Sequence, residues 1–254
     1  MKFWEMKKPP LSICLLTLAG AVAAQPPPGP QIKPNTNDLI RASVYADNWF
    51  MMYINGKLVA VDPIDFLPHN QVNIDILPEY PMTIAILAKD NADPATGLEY
   101  GNQIGDAGLI VRFSDGTVSD GTWKAKSFAT GPLDRDIANP KVRQEPIPVN
   151  WYAVDFDDKE WEHATEYTDE RVRPDPSIRR SDFGTAKFIW TSDLDLDNTV
   201  IFRLRVEKPG WTPRWNTKPD LDNTCLFPPP AAACPCGAPQ PEEAAPSARP
   251  RRPQ

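Results

Sequence analysis

Apolar residues in the middle of the chain recur at every second position, and turn formers separate the runs. Trp49-Phe-Met-Met-Tyr-Ile54 is followed by Asn55-Gly56 and then by Lys57-Leu-Val-Ala-Val61. Asn and Gly tolerate positive φ at both central positions, so this spacing predicts a type I′ turn closing a tight hairpin. Val72, Ile74 and Ile76 alternate, as do Ile84, Ile86 and Ala88 within residues 82–88. Leu109-Ile-Val-Arg-Phe113 runs into Ser114-Asp-Gly116, and a second Ser119-Asp-Gly121 precedes Trp123-Lys-Ala-Lys126. Phe188-Ile-Trp190 and Val200-Ile-Phe-Arg-Leu-Arg-Val206 supply the last strands. A period of two turns one side of each strand to a core and the other away from it. Six or more such strands, with one helical turn expected near Lys159, predict an all-β antiparallel sandwich.

Proline marks the edges of this region. Pro26-Pro27-Pro28-Gly29-Pro30 and Pro34 lack the N–H donors of a ladder, so residues 25–38 are expected to form an extended spacer. Beyond Lys208, Trp211-Thr-Pro-Arg-Trp215 predicts a docked segment, and Pro228-Pro229-Pro230 with the alanine run predicts a disordered tail, together spanning 209–254. One folded domain remains, residues 39–208. Residues 1–24 have the form of a secretory signal: Lys2, Lys7 and Lys8 lead, an apolar run covers 11–19, and small residues end at Ala24. That run is too short to span a bilayer, and Ile13 before Cys14 fits a lipoprotein signal poorly. The expected location is therefore outside the cytoplasm: periplasm, cell surface or medium, with no membrane insertion once the signal is cleaved.

Charge narrows the partners. The formal net charge of −7 becomes −9 when Lys2, Lys7, Lys8 and Glu5 leave with the signal. A nucleic-acid surface needs clustered cations that the body of this sequence does not show, so nucleic acid is not an expected partner. The acids are interspersed with bases, as on a solvated surface.

One order of residues resembles a family. Ala46-Asp47-Asn48-Trp49 before Tyr53-Ile54-Asn55-Gly56, then Phe113-Ser114-Asp115-Gly116-Thr117, Asp120-Gly121-Thr122-Trp123-Lys124, Asp155-Phe156-Asp157-Asp158-Lys159-Glu160-Trp161 and Ala186-Lys187-Phe188-Ile189-Trp190 with Val200-Ile201-Phe202-Arg203 look like the galactose-binding-like jelly roll. The resemblance covers nearly all of residues 39–208 and implies a carbohydrate-binding-module-like accessory domain. The charged stretch 168–181 departs from the family's pattern. Physical chemistry gives several of these positions scaffold roles: Asp47 and Asn48 cap backbone groups before a strand, and Trp161 folds under the Asp157-Asp158 turn.

Sugar recognition needs an aromatic face and planar polar groups. The candidates are Tyr100, Asn102 and Gln103, on the long glycine-bearing stretch 91–106, together with Trp151 and Tyr152. The alternatives are an ordinary crossover and core packing. An envelope adaptor, docking a protein partner through its Pro-rich ends and Trp211 and Trp215, is the second functional reading.

Metal chemistry has three candidates. Asp193-Leu-Asp-Leu-Asp197 alternates like a calcium loop, but Leu204 stands at the twelfth place, which excludes an EF-hand. A looser structural calcium site would use Asp47 or the Asp157 and Asp158 turn, against the plainer reading of a strand-leading turn. His69 and His163, the latter beside Trp161, are the candidates for copper, with solvent-exposed histidines as the alternative. In an oxidising compartment Cys225 is expected to pair with Cys234 or Cys236, leaving one thiol. No nucleophile elbow, zinc-protease helix or phosphate-cradling loop is present in the sequence, and a non-catalytic protein is expected.

Overall fold

The computed structural model describes residues 29–63 and 70–218. Its strands are β1 (Ile40–Asp47), β2 (Trp49–Ile54), β3 (Lys57–Val61), β4 (Val72–Ile76), β5 (Met82–Lys89), β6 (Gly108–Phe113), β7 (Lys124–Thr130), β8 (Arg143–Gln144), β9 (Glu162–His163), β10 (Thr165–Tyr167), β11 (Phe188–Trp190) and β12 (Asp197–Val206). They form two antiparallel sheets. The first has the order β10-β11-β6-β1-β4 and the second β3-β2-β5-β12-β7-β8, with β9 also paired to β7. Successive strands repeatedly cross from one sheet to the other, so the chain closes an all-β sandwich, as its period-two pattern predicts.

The inner faces supply the core. Ala42, Val44 and Ala46 of β1 lie opposite Phe113, Val111 and Leu109 of β6 in the first sheet. Phe50 and Met52 of β2, Ile84 and Ile86 of β5, and Val200 and Phe202 of β12 face them from the second. Two buried tryptophans plug the interior, and each indole N–H finds a carbonyl: Trp123 donates to Val118 at 2.8 Å and Trp190 to Asp197 at 2.7 Å. Burial without those acceptors would leave an unsatisfied donor in each case.

Asn55 (φ 48°) and Gly56 (φ 77°) form the hairpin turn between β2 and β3. At the other end of β2, a single residue, Asn48, carries the chain from the first sheet into the second. Its backbone N–H donates to the Lys89 carbonyl at 2.8 Å, and its Oδ1 accepts the Asn91 N–H at 2.7 Å. Asn48 thus ties the sheet-switching corner to the end of β5.

The helical turn lies at Asp169–Val172 rather than near Lys159, because Thr168 caps it by accepting the Arg171 N–H. Val172 is fully buried over Gly108, where a Cβ would come within 2.7 Å of its Cγ1. The charged stretch 168–181 is therefore anchored to the first sheet by an apolar residue.

The second sheet is covered on its outside as well. Ala85, Leu87, Phe128, Trp151 and Ile201 form a separate apolar cluster, joined by Trp49, Met51, Tyr53, Ile147, Tyr152 and Trp161. Odd-numbered positions of β2, β5 and β12 face this layer while even-numbered ones face the main core. Residues 145–161 act as a strap across that outer face.

Part of the expected spacer is structured. Thr36–Asp38 makes one 3-10 turn with an Asn35–Asp38 capping box. The Arg214 guanidinium reaches Asp38 at 2.8 Å, and Ile32 and Asn216 exchange two hydrogen bonds of 2.7 and 3.0 Å. Trp211 packs edge-on against Tyr80 and Trp215, so both tryptophans of the terminal segment are engaged within the chain itself. The signal-like residues 1–24, His69, and the expected tail beyond Lys218 with its three cysteines lie outside the described residues.

Candidate functional site

A cleft of about 410 Å³ opens at the end of the second sheet, where β5, β12 and β7 meet the turn at 92–97 and residues 142–147. Phe128, Val142 and Ile147 give it apolar walls, while Asp93, Gln144 and Thr199 supply polar ones. The alternation of β7 turns Phe128 outward, away from the main core and into the layer under the strap. Asp93 shapes the turn by accepting the N–H groups of Ala95 at 2.8 Å and Thr96 at 3.0 Å. Gln144 closes it from the far side by donating to the Pro94 carbonyl at 2.6 Å.

Two glycines allow these walls to approach. Gly97 has φ +70°, and a Cβ there would lie 2.4 Å from the carbonyl carbon of Gly131. Asn198, another wall residue, donates through Nδ2 to the Gly131 carbonyl at 3.0 Å, while its buried Oδ1 has no hydrogen-bond partner among the described residues. The cleft thus joins apolar walls, with the nearly buried Phe128 among them, to planar amide and carboxylate groups.

Beneath the cleft lies a buried carboxyl pair. Asp90 is 3% exposed and Glu99 7% exposed. Burial, then the charge and hydrogen bond of Glu99, then the charge of Asp47, push the Asp90 carboxyl well above the usual carboxylate range. Two buried carboxylates this close repel when both are charged, which favours the protonated form of Asp90. Gly105 makes space for the pair, since a Cβ there would lie 2.2 Å from Asp90 Oδ2.

The sequence-predicted residues fall in different places. Tyr100 (φ 48°) is 73% exposed at the tip of a turn, where the N–H groups of Asn102 and Gln103 donate to the Glu99 carbonyl. Trp151 is 6% exposed and meets Tyr53 edge-on at 5.2 Å, and Tyr152 stacks on the same tyrosine at 4.3 Å. No hydrogen bond or ring contact among the described residues joins the Tyr100 turn to Trp151 or Tyr152, and none of the five lines the cleft. Trp151 and Tyr152 hold the strap to the sheet.

The acidic candidates also have protein partners. Asp158 pairs with Arg203 at 2.6 Å, and exposed Asp157 lies 3.8 Å from Lys159. Asp47 is buried at the corner beside Asp90. Among the described residues no group of three or more His, Cys, Asp or Glu side chains could hold a metal ion, so the loose calcium cluster is not assembled. His163 is exposed on β9.

Sequence reasoning missed Phe128, Gln144 and Asn198. Gly131, directly after β7, carries the one detectable signal, since a glycine at a strand often marks a close backbone approach. Compared with known proteins, the chain matches no family model, no curated protein and no solved structure.

Proposed function

We propose that this chain is a non-catalytic binding module that holds a glycan or similar hydroxyl-rich polymer outside the cytoplasm. The observation that carries the reading is the cleft of about 410 Å³ with Phe128 on one wall and Gln144, Asp93 and Asn198 around it. Its volume falls in the range of roughly 300–1,000 Å³ typical of small-ligand sites. The apolar walls suit a sugar ring, and the amide and carboxylate groups suit its hydroxyls. The signal-like residues 1–24 supply the expectation of export, and the galactose-binding-like resemblance supplies that of a sugar ligand.

A polysaccharide pull-down and a glycan array test this, using the full chain beside Gln144→Ala and Phe128→Leu variants. Selective glycan capture, weakened by both substitutions, is the expected result. Capture of a protein ligand with no glycan bound at all would replace the reading with that of an adaptor.

A further inference from the structure

We infer that the outer face of the first sheet carries a separate site for the oxyanion groups of an acidic polysaccharide. A depression of about 400 Å³ there is lined by Arg41, Asn73, Arg112, Ser114, Arg179 and Asp182, with Ser43 and Ser181. Its three guanidinium groups come from β1, β6 and the segment after Asp175. Arg41 is paired with Asp75 and Arg179 with Asp182, so the positive charge in excess is that of Arg112; the chain's formal charge of −7 repels a polyanion, and attraction has to be local.

Hydrogen-bond accounting shows which groups face a ligand. Asn73 Oδ1 accepts from Ser43 Oγ at 2.7 Å and from Gln71 Nε2 at 3.2 Å, which uses both lone pairs and turns the Asn73 amide N–H groups to the depression. Ser114 Oγ accepts the Arg41 N–H at 2.9 Å, leaving its own proton to donate. Arg112 makes one side-chain hydrogen bond among the described residues, to the Asp182 carbonyl at 3.0 Å, so most of its five donors remain for a ligand. Arg41 gives two of its donors to Asp75.

The same geometry places the third arginine. Gln71 Nε2 also donates to the Asp182 carboxylate at 2.7 Å, and Gln71 Oε1 accepts the Arg179 N–H at 3.1 Å. One glutamine thereby fastens the Arg179–Asp182 segment to the sheet. The Asp182 carboxylate, 3.3 Å from the Arg179 guanidinium, is the acceptor at the rim for a sugar hydroxyl. No aromatic side chain lines the depression, so a nucleobase would have no ring to stack on. Donors at the centre, an acceptor at the rim and no stacking platform fit a sulfate or carboxylate carried on a sugar chain.

Affinity electrophoresis of the full chain tests this in gels containing a polyuronate, a sulfated glucan, an uncharged glucan or single-stranded DNA. Retention by the polyuronate or the sulfated glucan, whichever oxyanion the site prefers, is expected, with none from the uncharged glucan through this site. Arg112→Gln and Asn73→Asp, both at exposed positions, should each weaken retention about tenfold while melting like the parent chain. Arg205→Gln, which removes an exposed arginine paired with Glu207 on the second sheet, should leave it unchanged. Retention by neither acidic polymer, equal loss with Arg205→Gln, parental retention by both site variants, or Arg112-dependent binding of DNA alone would each overturn the inference. Because the cleft variant Gln144→Ala lies on the other sheet, failure of the cleft and failure of this site are distinguishable.

Discussion

Arg203 Nε donates to Asp158 Oδ2 at 2.6 Å, joining β12 to a strap residue that precedes it by 45 positions. The arginine is 3% exposed, and each of its two terminal nitrogens donates to a carbonyl, that of Trp151 and that of Ala153. Its guanidinium also lies 5.1 Å from the centre of the Phe156 ring. A buried cation is tolerable only when acceptors surround it, and here the strap provides them all. The arginine therefore fixes the path of residues 151–158, and with it the Ile147 wall of the cleft.

Substituting Arg203→Met should detach the strap. The loss of a buried, multiply bonded cation is expected to cost about 3 kcal/mol. Urea unfolding followed by tryptophan emission checks this, and a red shift of the folded-state emission should accompany it as Trp151 meets water. An unfolding midpoint equal to that of the parent chain would refute the role given to Arg203.

Gly97→Ala should destabilise the fold and damage the cleft together. The added methyl would meet the Gly131 backbone, and φ +70° is unfavourable for alanine, so the expected loss is about 1–3 kcal/mol. Chemical denaturation and glycan capture measure the two effects. A stable variant with unchanged capture would mean that the Gly97–Gly131 approach does not shape the cleft.

The Asp90–Glu99 pair gives stability a pH dependence of unusual sign. Because the folded Asp90 carboxyl titrates well above its unfolded value, the folded chain holds more protons, and stability falls as pH rises from about 4 toward the raised value. Asp90→Asn should flatten that slope and raise the midpoint at neutral pH, with the new amide donating to Glu99. Below pH 4 a different group acts: the Arg214 guanidinium holds Asp38 at about 2, so its contribution is lost only as pH falls through that value. Denaturant midpoints measured from pH 4 to pH 8 on both chains decide the matter, and parallel curves would exclude Asp90 as the source.

Asn55→Gly separates the turn from its side-chain bonds. Glycine keeps the positive φ but removes the 2.9 Å bond to the Glu79 carbonyl and the 2.7 Å bond from the Thr83 N–H. A loss of about 1–2 kcal/mol is expected in thermal or urea unfolding. No loss would assign the whole preference for asparagine to backbone conformation.

The β architecture was legible because it depends on local alternation and on turn chemistry that one dipeptide can specify. The Asn55-Gly56 hairpin, β4, β5, β6, β11 and most of β12 follow directly from such signals. β1 was harder to see, since it is buried on both sides at Ser43 and Tyr45 and carries small residues at Ala42 and Ala46, so its pattern is not a simple alternation. The cleft was not legible, because Phe128, Gln144 and Asn198 are brought together by pairing across the sheet. Trp151 and Tyr152 carry the aromatic signature of a sugar site, yet that same surface meets Tyr53 within the chain. What decides between a ligand and a packing partner is which strand lies beneath, and that is a tertiary property. Arg203 left a faint local trace as a cation on the Ile201 side of β12, where apolar residues of the outer layer collect.

The mutual hydrogen bonds of Ile32 and Asn216 bring the beginning and end of the described domain to one pole. A circular permutant is therefore geometrically available: a short peptide could splice the two segments, and new termini could open in the exposed loop at residues 137–139, which lies in no strand. The same closeness means that cargo joined directly at Ile32 or at Asn216 would leave the described domain from one place on its surface.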